Sequence, residues 1–163
     1  MSWQIQVKRA KPNPLGKDKS NGYPISTQLL GEWVDIQNIG DTGVSLAAVH
    51  LAHSEFHPGC SLKNEASIYW NGTSSPELRP GETVRIHTGR SSDTWQMSPE
   101  DRNGVHHHAY AEMGSFVLNN DCGDNVSVWW KDKDGNWHRE DRAGYGPRPQ
   151  EGKILQRMGD RLI

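Results

Sequence analysis

Four residues that could hold a metal stand close together in the segment HLAHSEFHPGC: His50, His53, His57 and Cys60, spaced three, four and three apart. Imidazole nitrogen and thiolate sulfur are ordinary zinc ligands, and on a helix this spacing would gather all four on one face. A zinc held there would acidify a bound water and support metal-assisted hydrolysis. The same segment argues against a helix. Pro58-Gly59 would stop one, and the apolar run from Val44 to Leu51 reads as a strand, along which His50 and His53 point to opposite faces. A second candidate is the triplet His106-His107-His108, whose outer members, His106 and His108, would project together from an extended segment, with Asp101 and Glu112 near enough in sequence to add carboxylates. Histidines in a polar loop chelate metal weakly without serving a reaction, so both groups read as surface or packed side chains and no cofactor is expected.

Nucleophilic chemistry finds less support. The chain has no Gly-x-Ser-x-Gly, no phosphate-cradling loop and no dinucleotide fingerprint, and neither Cys60 nor Cys122 has an electropositive setting. Glu32 and Asp35 straddle Trp33 and Val34, a spacing natural to the solvent side of a strand, and are expected to be solvated. Aromatic residues are the better lead. In SVWWKD, neighbours on a regular strand alternate, so one of Trp129 and Trp130 must face away from the core, where it would serve as a stacking platform for a base, sugar or peptide unless another element covers it.

The elements that must position these residues read almost entirely as strands. Trp3, Ile5 and Val7 alternate with polar residues, and the proline-rich and glycine-rich stretch from 11 to 24 is a loop. EWVDIQNI, the turn GDTG and the run from Val44 predict two antiparallel strands joined in a hairpin. Further strands are expected at Ala66 to Trp70, after the Pro80-Gly81 turn at Val84 and Ile86, and in SFVLNN, NVSVWWKD and NWHRED, the last two joined by a KDG hairpin. Residues 91 to 114 read as an irregular surface insertion. Near the end, Ile154, Leu155, Met158 and Leu162 could share one helical face, interrupted by Gly159. Seven or eight strands without a convincing amphipathic helix predict an all-β antiparallel sandwich.

A chain of 163 residues suits one domain, and with only 33% apolar residues but seven tryptophans its core should rest on a few large anchors. Neither an export signal nor about 18 consecutive apolar residues is visible, which predicts a cytoplasmic protein with no membrane span and with Cys60 and Cys122 reduced. Charge is uneven. Residues 1 to 20 carry five basic groups and one acidic, residues 21 to 138 seven and fifteen, and residues 139 to 163 six and four. The acidic body repels a phosphate backbone, so nucleic acid would have to be held by Lys8, Arg9, Lys11, Lys17 and Lys19 with help from Arg148, Lys153, Arg157 and Arg161. A protein partner, anchored on Trp129 or Trp130 or on the apolar strip of the tail, needs less coincidence and is the favoured expectation.

AKPNPLGKD after the first strand, EWVDIQNIGDTGVSL, LRPGETVRIHTG and FVLNNDCGDNVSVWWKDKDGNW follow one another in an order that resembles the lamin tail domain, a family found in many bacterial proteins. The resemblance runs over residues 3 to 145, and its ordered set of pieces is more specific than any one of them. It implies an immunoglobulin-like β-sandwich of about seven to eight strands over residues 1 to 146, followed by a tail at 147 to 163. It also implies an interaction module for protein or nucleic acid, without catalysis of its own. Departures are residues 53 to 75, the histidine-bearing insertion at 91 to 114, and Asp35 where the family commonly has glutamate. A metal-dependent hydrolase using a histidine cluster and a nucleic-acid-binding accessory domain stand as the alternatives.

Overall fold

The computed structural model describes residues 4–163, so Trp3 of the expected first strand lies outside the described residues. The chain is all-β. Among the described residues fourteen strands follow one another: β1 (Ile5–Lys11), β2 (Lys19–Ser20), β3 (Tyr23–Pro24), β4 (Trp33–Asn38), β5 (Val44–Ser45), β6 (His50–Phe56), β7 (Leu62–Asn71), β8 (Glu77–Leu78), β9 (Thr83–His87), β10 (His107–Tyr110), β11 (Asp124–Lys131), β12 (Trp137–Tyr145), β13 (Leu155–Met158) and β14 (Arg161–Leu162). Ten of them form one sheet in the order β10-β9-β4-β1-β13-β14-β12-β11-β6-β7; β2 with β3 and β5 with β8 make two short ladders. Val7, Val34, Ile36, Val84 and Ile86 from one half of the sheet share a single apolar core with Leu51, Val126, Val128 and Ala143 from the other. No helix among the described residues is long and apolar enough to cross a membrane.

Alternation explains the strands that were legible in sequence. In β1, Ile5 and Val7 point inward, a bulge between Val7 and Arg9 absorbs Lys8, and Ala10 returns to the core. The bulge also turns Arg9 toward Asp35.

Several expectations are corrected. The GDTG turn does not join a hairpin: β4 pairs with β1 and β9, β5 pairs with β8, and β6 pairs with β7 and β11. Asn38 diverts the chain, donating from Nδ2 to the carbonyls of Thr42 (2.8 Å) and Leu78 (3.0 Å) while its Oδ1 accepts the Gly40 N–H (2.9 Å). Residues 53 to 75, poor in pattern, contain the β6–β7 hairpin, whose register slips repeatedly. SFVLNN forms no strand. Its Val117 and Leu118 amides are bound instead by a buried side chain, Glu32.

Residues 91 to 114 are ordered into a 3₁₀ turn (Ser91–Gln96), a short helix that follows α1 (Ser26–Gly31) in the chain, α2 (Pro99–Arg102), and the edge strand β10. β10 runs parallel to β9, so the sheet is not purely antiparallel. Ser98 caps α2 and Pro99 occupies its first turn, a compact start signal.

The tail is not helical. β13 lies antiparallel on β1, and β14 pairs antiparallel with β13 and parallel with β12, so residues 155–162 connect the two halves of the sheet. Gly159, at φ +64°, makes the tight turn between them, and Leu155 and Leu162 are buried. Cys60 and Cys122 are joined in a disulfide, which replaces the expected pair of free thiols and ties the β6–β7 turn to the approach of β11.

Candidate functional site

The histidines do not converge. His50 bonds Asn71 Oδ1 through Nδ1 (2.6 Å), and its ring stands edge-on to Trp137. His53 turns the other way, as strand parity requires, and bonds Asp124 Oδ2 (3.1 Å). His57 sits exposed in the turn, and Cys60 is spent in the disulfide. His106 Nδ1 accepts the Thr83 N–H (3.0 Å), His107 faces Glu82 (3.2 Å), and His108 spans from His87 (2.8 Å) to the carbonyl of Arg102 (2.8 Å). His106 and His108 thus serve different partners. Among the described residues no three His, Cys, Asp or Glu side chains are grouped to hold a metal ion. His87 donates from Nδ1 to the Leu30 carbonyl (2.6 Å), and burial pulls its pKa down to about 4. Burial also lowers His108, with the Arg85 charge adding to the effect.

Glu32 and Asp35, expected in solvent, are both fully buried. Residue 35 lies on the face of β4 opposite to Val34 and Ile36, where the flanking strands β1 and β9 each place one cation against it, Arg9 and Arg85. Arg85 grips its carboxylate through Nε (2.8 Å) and Nη2 (2.9 Å), and Arg9 contacts the same group. The Arg85 guanidinium also lies 3.6 Å over the Trp33 ring and donates from Nη1 to the carbonyls of Glu100, Asp101 and Asn103. Trp33 Nε1 donates to Asp101 Oδ1 (2.8 Å), and Lys11 pairs with the same carboxylate. This network anchors α2 to the sheet.

Its consequence for the basic termini is direct. Arg9 and Lys11 are internal partners of acids, and Arg157 is held bidentate by Asp141 (2.6 and 3.0 Å). Of the residues expected to meet a phosphate backbone, these three are already neutralised within the fold.

Glu32 is a different case. Its Oε1 accepts from Thr88 Oγ1 (2.6 Å) and from the amides of Val117 (2.9 Å) and Leu118 (3.1 Å), while Oε2 is buried without a partner. Desolvation prevails over those three donors and raises its pKa to about 7.

The two tryptophans face opposite ways. Trp130 stacks on His138 (4.2 Å between centroids), its cross-strand neighbour, and remains half-buried. Trp129 faces outward beside His50 and Arg139, with its indole N–H fixed on Ser127 Oγ (2.7 Å). With Ala66, Ile68 and Trp137 it lines an open hollow of about 260 Å³. Trp137 is 42% exposed, with Lys131 Nζ 5.3 Å from its ring centre, and Arg139 reaches Glu65 (3.6 Å) across the sheet. Sequence reasoning named Trp129 and Trp130 without choosing between them and missed Trp137, Ala66 and Ile68. Trp137 lay in a strand already read, directly across the KDG turn from Lys131, and that pairing was the available signal.

No protein-family model matches this chain, and a search of curated proteins finds no match.

Proposed function

We propose that this chain is a non-catalytic binding module on an immunoglobulin-like frame of the lamin-tail kind, and that it captures a protein partner by seating an apolar side chain in the hollow beside Trp129 and Trp137. The observation that carries this reading is the hollow itself, an apolar surface between two indoles whose orientations are held by Ser127 and His50. Rigid aromatic anchors at a water-accessible surface are the usual energetic centre of a protein interface. The all-β frame and the order of its turn motifs support the kinship, and the commitment of Glu32, Asp35 and the candidate histidines other than His57 to internal bonds supports a role without chemistry. Leu155 and Leu162 of the tail are packed in the core, which leaves the aromatic face as the anchor.

The test is crosslinking of the whole chain in lysate, comparing wild type with Trp137→Ala. Loss of the captured protein in a variant whose sheet spectrum is unchanged supports the reading. Capture that survives Trp137→Ala, or retention of nucleic acid that disappears when Lys8, Lys17 and Lys19 become Glu, overturns it.

A further inference from the structure

The aromatic hollow shares its face of the sheet with a basic recess, and strand register shows the connection. Val126 and Val128 point into the core, so Asn125, Ser127 and Trp129 stand on the outer face of β11. A bulge at Val128 and Trp129 sets Arg139 opposite Trp129, Arg142 opposite Ser127 and Gly144 opposite Asn125, and Gly144 pairs in turn with Arg161 of β14. A row of guanidinium groups thus leads from the indoles to the far end of β12.

At that end Asn125, Arg142, Gly144, Asp160 and Arg161 line a recess of about 240 Å³. Glycine makes the room. A Cβ on Gly144 would stand 2.5 Å from Asn125 Oδ1, and one on Gly146 would stand 3.7 Å from Arg161 Nη2, so the amide and the guanidinium lie over bare backbone. Arg9, Arg85, Arg139 and Arg157 each have a carboxylate within ion-pair reach. Arg142 and Arg161 are exposed and have none among the described residues, although Asp160 lines the same recess. Two guanidinium groups against one carboxylate leave a single positive charge to be neutralised, and the planar fork of arginine matches a carboxylate.

From Trp129 to Asn125 is four residues, about 13 Å along an extended strand. A ligand that occupies both sites therefore carries an apolar group and one negative charge that far apart. An extended peptide does so with two residues four positions apart, since side chains of equal parity share a face. A nucleic-acid strand fits less well: it carries a charge at every nucleotide, whereas the cation nearest the hollow, Arg139, is already engaged by Glu65. Ala66 and Ile68 also give the hollow an aliphatic wall, suited to a side chain.

We propose that the segment captured by this face is an acidic one: an extended peptide along β11 and β12, with an apolar side chain between Trp129 and Trp137 and, four residues away, a carboxylate held by Arg142 and Arg161. This rests on the protein-capture reading of the hollow and adds the charge and the spacing of its ligand.

The experiment is an NMR titration of the ¹⁵N-labelled full chain with short Ser-Gly peptides that carry one phenylalanine and one glutamate four residues apart, in both orders. One order should shift the Trp137 indole N–H and the amides of Asn125, Gly144 and Arg161 together. Exchanging its glutamate for glutamine should weaken binding roughly three- to tenfold. In the double variant Arg142→Gln, Arg161→Gln, two exposed changes whose fold is checked by the amide spectrum, the glutamate and glutamine peptides should bind equally. The two readings fail separately. Shifts at Trp137 with no preference for glutamate, or a preference that survives the double variant, keep the hollow and overturn the acidic segment. Peptides that leave Trp137 unshifted overturn both. A single-stranded oligothymidine that binds the recess more tightly than the glutamate peptide also overturns the proposal.

Discussion

Replacing Glu32 by glutamine should make the stability of this protein less dependent on pH. Glu32 is fully buried, with three donors on Oε1 and none on Oε2. Burial lifts its pKa from 4.5 to about 7. The folded state therefore keeps a proton that the unfolded chain releases, and the stability linked to this residue is complete below 4.5 and disappears as pH rises through about 7. A displacement of that size corresponds to about 3 kcal/mol. Glutamine keeps the acceptor that holds Thr88, Val117 and Leu118 but places an amide nitrogen with two unpartnered donors where the protonated carboxyl has one, at a pH-independent cost of about 1 kcal/mol. Urea denaturation with the disulfide intact, run from below pH 4.5 to above about 7, reads the difference. Wild type should be the more stable in acid, and its advantage should shrink by about 3 kcal/mol across the range. A difference constant to within about 0.5 kcal/mol, or one that grows with pH, would refute the reasoning.

Asp35→Asn should cost about 3–5 kcal/mol, because Arg85 and Arg9 would keep their buried charges without the carboxylate that compensates them; a loss under about 1 kcal/mol in the same denaturation assay would show the cluster to be far better hydrated than its burial implies. Replacing both Cys60 and Cys122 by serine opens a loop closed across 62 positions and should lower stability by about 4 kcal/mol on the chain-entropy estimate, with the sheet signal in circular dichroism retained at low temperature. An unchanged urea midpoint would count against the disulfide.

Strand parity was legible in the residues themselves. The alternation of Ile5 with Val7, of Val34 with Ile36 and of Val84 with Ile86 located β1, β4 and β9, and the opposite facing of His50 and His53 followed from the same period of two. That one of Trp129 and Trp130 must face outward was legible for that reason also, and the fold decided that it is Trp129. Local sequence could not say which strand pairs with which. GDTG has every residue a hairpin wants, yet Asn38 spends its side chain on the carbonyls of Thr42 and Leu78 and sends the chain elsewhere. The tail shows a related limit. Leu155 and Leu162 fit one face of a helix, but an open position between β1 and β12 supplies the backbone partners that make two short strands the better solution. Charge was the property least readable from sequence. Glu32 and Asp35 look like solvated acids until Arg9 arrives from β1, Arg85 from β9 and Thr88 from the bend after β9, because the cost of burying a carboxylate is decided by partners that only the folded chain assembles.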